Sequence, residues 1–356
     1  MKSKHKQYVS VVVVLILGLF SASACGAAAK KPATVAELAL YRGSDRQQIL
    51  EEGAKKEGTL VFYTSGILTQ AVRPVADSFQ KKYPFVKVEI WRAESQQLVP
   101  RVLEETKAGR QGCDVIENTQ NGYLVMQEQS GIFQSFYSPN LAFIDDDAIT
   151  KGPGGAAWRA GFRESGHSIG YNTKLLAKEN LPKSYRDLLD PKWKGKVALA
   201  GSENGVSFVG NMLDTFGEDF VKRLAALNYD VHMVSARAIL DMIINGEYLL
   251  SPTITDAHVT ESKQKGAPVE WVPLDPVHVN VGQISLANQA RHPHAAMLFI
   301  DYELSKESGE IHRAKGYISS RKDISGEKSY KKNYGPTTIE DARRWNATFG
   351  SLFLKR

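Results

Sequence analysis

Cysteine is nearly absent from this 356-residue chain, which carries only Cys25 and Cys113. Two cysteines exclude a disulfide-braced scaffold, and no Cys/His spacing of a zinc or redox site occurs. If Cys25 is acylated, Cys113 stands alone, and between Gly112 and Asp114 it reads as a small packed side chain. Long apolar runs are missing too. The most apolar stretch, Val9 to Phe20, falls well short of the roughly 20 residues that a helix needs to cross a bilayer. There is no G-x-S-x-G elbow, no H-E-x-x-H pair and no phosphate-binding P-loop, so nothing singles out an enzyme. His292 and His294 flank Pro293 like a surface helix start, and Asp145-Asp146-Asp147 lacks the glycine and distal glutamate of a calcium loop. No metal site and no cofactor are expected. A basic balance of +6 is spread along the chain rather than clustered, so no nucleic-acid partner is expected either.

What is present begins with a leader. Lys2, Lys4 and Lys6 precede the apolar run, and Ser21-Ala22-Ser23-Ala24-Cys25 follows it, the layout of a secretory signal peptide over residues 1–25. Ala22-Ser23-Ala24 suits ordinary cleavage. The same residues before Cys25 and Gly26 resemble a lipobox, with Ala22 where leucine is usual, which makes Cys25 the candidate lipidation site. The expected location is the periplasm or the outer face of the cell membrane. Without the leader's three lysines the formal charge falls from +6 to +3.

Residues 26–57 read as a spacer followed by a helix over 44–57, with Ser44 as cap and Gly58 after the last turn. Beyond it, strand and helix alternate. Leu60–Tyr63, Val86–Trp91 and Val115–Ile116 are strand-like, and Val72, Val75, Ala76 and Phe79 recur at helical spacing between the first two. That alternation is the mark of an α/β fold with a largely parallel sheet. Residues 138–157 hold Pro139, Gly152, Pro153, Gly154 and Gly155 and read as a long connection. His167–Asn172, Val197–Ala200 and Gln283–Ala287 are further strands; Ser207–Phe216 and Ala236–Asn245 are helices, the second closed by Gly246. A final amphipathic helix covers roughly residues 337–350.

Ligands of open α/β sheets sit at the carboxyl ends of strands, where loops meet helix N-termini. Four such places stand out: Thr64-Ser65-Gly66, Asn118 with Thr119, Ser202-Glu203-Asn204, and Thr253 to His258 with Thr255 and Asp256. Hydroxyl residues beside glycine at a helix start offer N–H and Oγ donors to an anion. The same residues also serve as plain helix caps. Glu94 and Gln96 are weaker candidates of the same kind.

Several blocks resemble the ferric-ion-binding type of ABC-importer solute-binding protein. They are Leu60-Val61-Phe62-Tyr63-Thr64-Ser65, Tyr171–Leu176, Leu188-Leu189-Asp190-Pro191-Lys192-Trp193-Lys194-Gly195-Lys196, Lys265–Pro268 and Ala295–Ser305. The resemblance covers roughly residues 58–320. It implies a two-lobed periplasmic-binding-protein fold of the second topological type, with lobe 1 at 58–160 and 281–325 and lobe 2 at 161–280 and 326–356. A small-molecule solute would bind between the lobes of a monomer and pass to the permease and ATPase subunits of an ABC importer. It also implies ligand contacts at Ser65 and Ser202, and it puts Tyr171, Asn280 and Gln283 on the strands that cross between lobes. Family members that bind bare ferric ion carry two adjacent tyrosines, and this sequence has no Tyr-Tyr pair. A small anionic solute is therefore the leading expectation. A ferric ion or ferric chelate is the alternative, and a ligand-presenting partner of a sensor kinase a further one.

Overall fold

A computed structural model describes residues 32–127, 131–324, 330–336 and 338–354. The leader and Cys25 lie outside the described residues, and among those described no helix is long and apolar enough to cross a membrane.

Helix α1 (Val35–Leu40) starts at a capping box made by Thr34 and Glu37. Helix α2 (Arg46–Glu57) stops at Gly58, whose φ of 68° is the left-handed cap that glycine adopts without strain. Asp45, not Ser44, precedes its first turn, and the Asp45 carboxylate accepts the Tyr41 hydroxyl instead of capping the helix. Alternation then runs as the sequence implies: β1 (Thr59–Thr64), α3 (Arg73–Lys82), β2 (Lys87–Arg92), α4 (Ser95–Lys107), β3 (Val115–Asn118) and α5 (Gln120–Gln127). Strand β1 pairs in parallel with both β2 and β3. A π-helical turn over Leu68–Val72 leads into α3, which buries Val75, Ala76 and Phe79.

The connection over 138–157 is not featureless. Short strands β4 (Phe133–Gln134) and β5 (Ile149–Lys151) lead to β6, which runs from Ala157 to Asn172. Only the end of β6 was legible as a strand. Its first half carries Arg159, Arg163 and Glu164, which look like loop residues but are buried in the sheet. Arg163 and Glu164 are tolerated there because each has an opposite charge beside it, Glu117 and Lys332.

Next come β7 (Ala198–Ala200), α6 (Glu203–Phe216), α7 (Glu218–Ala226), β8 (Asp230–His232), α8 (Ala236–Asn245), β9 (Leu250–Thr255), α9 (Asp256–Gln264) and β10 (Val269–Val272). Gly246, with φ 85°, closes α8 as expected. Strand β9 extends through Thr255, so Thr253 lies inside a strand rather than in a loop after one. The chain returns along β11 (Val277–Ala287), then α10 (Pro293–Glu303), α11 (Lys306–Ala314), β12 (Ile318–Ser319), β13 (Lys332–Asn333) and α12 (Ile339–Phe353).

The main sheet has the order β10-β6-β11-β3-β1-β2. The first half of β6 pairs with β11, and its second half with β9 and β10. A large core lies at each end of these shared strands. One gathers Leu60, Phe62, Phe79, Leu298 and Phe299; the other gathers Ile169, Tyr185, Phe208, Leu250 and Trp345. Glycines let the layers approach closely: a Cβ on Gly210 of α6 would overlap the Trp345 ring of α12.

Candidate functional site

Six helix beginnings converge on one cleft. Gly66 and Ile67 lead into the turn before α3; Glu94 and Ser95 open α4; Thr119 precedes α5. From the other side come Glu203 and Asn204 of α6, Ser235 and Ala236 of α8, and Thr255 and His258 of α9. This follows from topology, because a strand followed by a helix puts the helix N-terminus at the carboxyl edge of the sheet. An α-helix N-terminus has N–H groups without intrahelical partners and about half a positive charge. Arg163, Ser165 and His167 of β6 and Asn280 of β11 complete the lining.

Charge inside the cleft is arranged in pairs. Arg163 Nη2 donates to Glu117 Oε1 at 2.7 Å, with both side chains buried. The other carboxylate oxygen of Glu117 accepts the N–H groups of Ser65 (3.1 Å) and Gly66 (2.9 Å) and the Thr64 hydroxyl. The first loop therefore binds the protein's own carboxylate. Arg92 donates to Glu94 at 2.5 Å. Across the cleft, the Thr119 hydroxyl donates to Glu203 Oε1, joining the start of α5 to the start of α6. Burial raises the Glu203 pKa, and the charges of Glu94 and Glu117 add to the rise.

Three histidines stay neutral in this region. Burial drives His258 down to about 3, helped by the Arg237 and Arg163 charges, and His278 down to about 4. Burial also lowers His167 well below the usual histidine range, with His278 and His258 adding to it. The rings of His167 and His278 lie 5.3 Å apart, and Asn204 Nδ2 sits 3.1 Å from His167 Nε2. Among the described residues no three His, Cys, Asp or Glu side chains gather into a metal-binding set.

Of the residues singled out from sequence, Ser65, Gly66, Glu203, Asn204, Thr255 and His258 line this one cleft. Thr64 and Asn118 lie just beneath it, buried: Thr64 bonds Glu117, and Asn118 Oδ1 accepts Ser95 Oγ at 2.7 Å. Ser202 faces a neighbouring apolar hollow lined by Val206, Met233 and Phe349. Thr253 is sealed in β9, where its Oγ1 accepts the Ala200 N–H and meets Ser251 Oγ at 2.8 Å. Asp256 Oδ1 accepts the N–H of Gly166 at 3.2 Å and of Ala257 at 2.6 Å, facing the strand rather than the cleft. Tyr171 packs into the second core beside Leu250, and Gln283 is buried in β11 without lining the cleft. Asn280 does line it.

Arg92, Arg163, His167 and Tyr317 also line the cleft and were not singled out. Arg163 and His167 lie in Arg163-Glu164-Ser165-Gly166-His167, where two strand faces alternate. An arginine at an otherwise sheet-compatible position was the available signal.

Solved structures place this geometry in a known class. HitA from Pseudomonas aeruginosa, solved with iron bound, superposes with a TM-score of 0.68 at 19% identity, over 83% of this chain and 99% of that one. The periplasmic binding protein AfuA from Actinobacillus pleuropneumoniae, with exogenous fructose-6-phosphate bound, gives 0.68 at 22% identity, over 84% and 100%. The fold is thus the two-lobed α/β fold of periplasmic binding proteins, with the cleft between its lobes. A sequence profile for bacterial extracellular solute-binding proteins matches residues 114–336, and the chain belongs to that family. A Haemophilus influenzae protein of uncharacterized role is 31% identical over 154 residues, which are 40% of this chain and 44% of that protein. The chain thus matches less than half the length of that curated relative.

Proposed function

We propose that this protein is the exported receptor of an ABC importer, which closes its lobes over a small anionic solute and presents it to membrane permease and ATPase subunits. The observation that carries the anion is the convergence of six helix N-termini, with Arg92 and Arg163, on one hydroxyl-lined cleft. Family membership supports the receptor role. Lobe 1 is assigned to 58–160 and 281–325 and lobe 2 to 161–280 and 326–356, with hinge closure between them. Cys25 is assigned as the lipid anchor that keeps the receptor at the outer face of the membrane.

Iron-bound HitA keeps a ferric cargo in view, but the cleft here offers paired carboxylates, neutral imidazoles and one tyrosine, Tyr317, whose phenol burial holds protonated. Isothermal titration of the leaderless protein with sulfate, inorganic phosphate, glycerol 3-phosphate, malate, citrate, ferric citrate and neutral sugars tests the reading. Saturable binding of one anion class supports it. Binding of sugars alone, or of ferric ion without a chelating anion, overturns it.

A further inference from the structure

The amides of Ser65 and Gly66 are taken by Glu117, so a solute anion must be received elsewhere in the cleft. One corner has what is missing at the first loop. Arg163 is 7% exposed and His258 6% exposed, and both line the cleft. Arg163 Nη2 is committed to Glu117, but its Nε has no partner among the described residues. His258 Nδ1 likewise has none. Leaving such groups buried and unpaired is costly, so a fold retains them where something else completes them. Both sit where an anion gains most. His258 is in the first turn of α9, and Arg163 stacks over the Tyr317 ring at 5.0 Å, which holds its guanidinium plane in place.

We propose that Arg163 and His258 together receive the anionic group of the solute, and that His258 takes up a proton as the anion enters. This rests on the anion-receptor reading above and names the contact point within that cleft. Proton uptake follows from the surroundings of the ring. Arg163 faces it from β6 and Arg237 from α8, while Glu261 lies one turn further along α9 and His167 faces it from β6. Burial and the two cations outweigh Glu261 and hold the imidazole neutral. An anion against the ring reverses that balance, because an opposite charge within about 4–6 Å favours the protonated form. His258 then becomes a charged donor, and Arg163 Nε supplies the second hydrogen bond. Affinity is accordingly highest at acid pH and declines as pH rises through the value that His258 acquires with the anion bound.

The test titrates sulfate and glycerol 3-phosphate into the full mature protein at about pH 5, where an anion that raises the ring by a few units from its low starting value changes its charge, in two buffers of different ionisation enthalpy. The difference between buffers gives the protons taken up. His258→Gln removes the titrating group while keeping an amide donor; Arg163→Lys keeps a charge beside Glu117 while removing Nε. Each variant should lose about 10- to 100-fold in affinity, as expected for one lost hydrogen bond to a charged group. H258Q should also abolish the proton uptake that intact protein shows in excess of the probe's own. Far-ultraviolet circular dichroism and melting confirm that each variant is folded. Equal affinity and equal proton uptake in folded H258Q overturn the assignment while leaving the anion reading in place. Failure of intact protein to bind either probe, or any other anion of the panel, overturns both.

Discussion

Glu117 Oε2 accepts the N–H of Gly66 at 2.9 Å, so a carboxylate from β3 fills the anion-shaped loop at the end of β1. Its other oxygen is paired with Arg163 of β6, which ties β1 and β3 to β6, across the intervening β11, through one buried charge pair. Removing one partner leaves a buried charge alone, at a cost of roughly 3–5 kcal/mol, whereas replacing both is far milder. Glu117→Gln should lower stability in urea unfolding by about that amount, and Glu117→Gln with Arg163→Met should recover most of it. A single variant as stable as the parent would show that the pair contributes nothing to the fold.

On the proposed hinge closure, Glu203 makes the cleft sensitive to pH. Burial raises its pKa, so a state that buries Glu203 holds the proton more tightly than an opened, hydrated one. For a raised acid the sign is fixed: closure is favoured as pH falls and loses that advantage as pH rises through the closed-state value. Solution scattering on solute-free protein should give a smaller radius of gyration at acid than at alkaline pH, the order that a raised carboxyl pKa sets. In Glu203→Gln the radius should no longer vary with pH. A parent radius indifferent to pH would end this account.

Thr255 and Ser202 look alike in sequence, each a hydroxyl residue immediately before a helix, but they face different spaces. Thr255 lines the cleft and makes no capping hydrogen bond, while Ser202 turns towards the apolar hollow beside Phe349. Thr255→Val should weaken binding of whichever panel anion is taken by about 1–3 kcal/mol. Ser202→Ala should change it by no more than about 0.5 kcal/mol. Titration calorimetry separates the two, and the opposite ranking would move the site into the hollow.

The docking of α12 depends on Gly210. A methyl there would meet the buried Trp345 ring, and overpacking of this kind costs typically about 1–3 kcal/mol. Gly210→Ala should lower the melting temperature and shift tryptophan emission towards the red as Trp345 meets water. Unchanged emission would show that the helices can separate slightly without undocking.

Legibility in the sequence tracked locality. Strands β1 to β3 and helix α8 were readable because their apolar periodicity is complete within a dozen residues and glycine ends α8. Placing candidate contacts at strand ends brought together Ser65, Gly66, Glu203, Asn204, Thr255 and His258, since topology alone puts helix N-termini on one edge. Tyr171 and Thr253 went astray because being on a crossing strand or near a strand end does not say which face a side chain takes. Arg163 was illegible for a different reason. Its burial makes sense only beside Glu117, 46 residues away in sequence, and no spacing rule links the two.

Strand β6 spends its first half in one core's sheet and its second half in the other's, and β11 runs beside it. A domain joined by a loose tether can melt while its neighbour survives. Here neither half can lose its order without tearing a strand that the other half uses, so heat should meet a single indivisible object and calorimetry one endothermic peak. Hinge closure, as proposed, would have to twist this hydrogen-bonded ribbon of β6 and β11 rather than bend a slack tether.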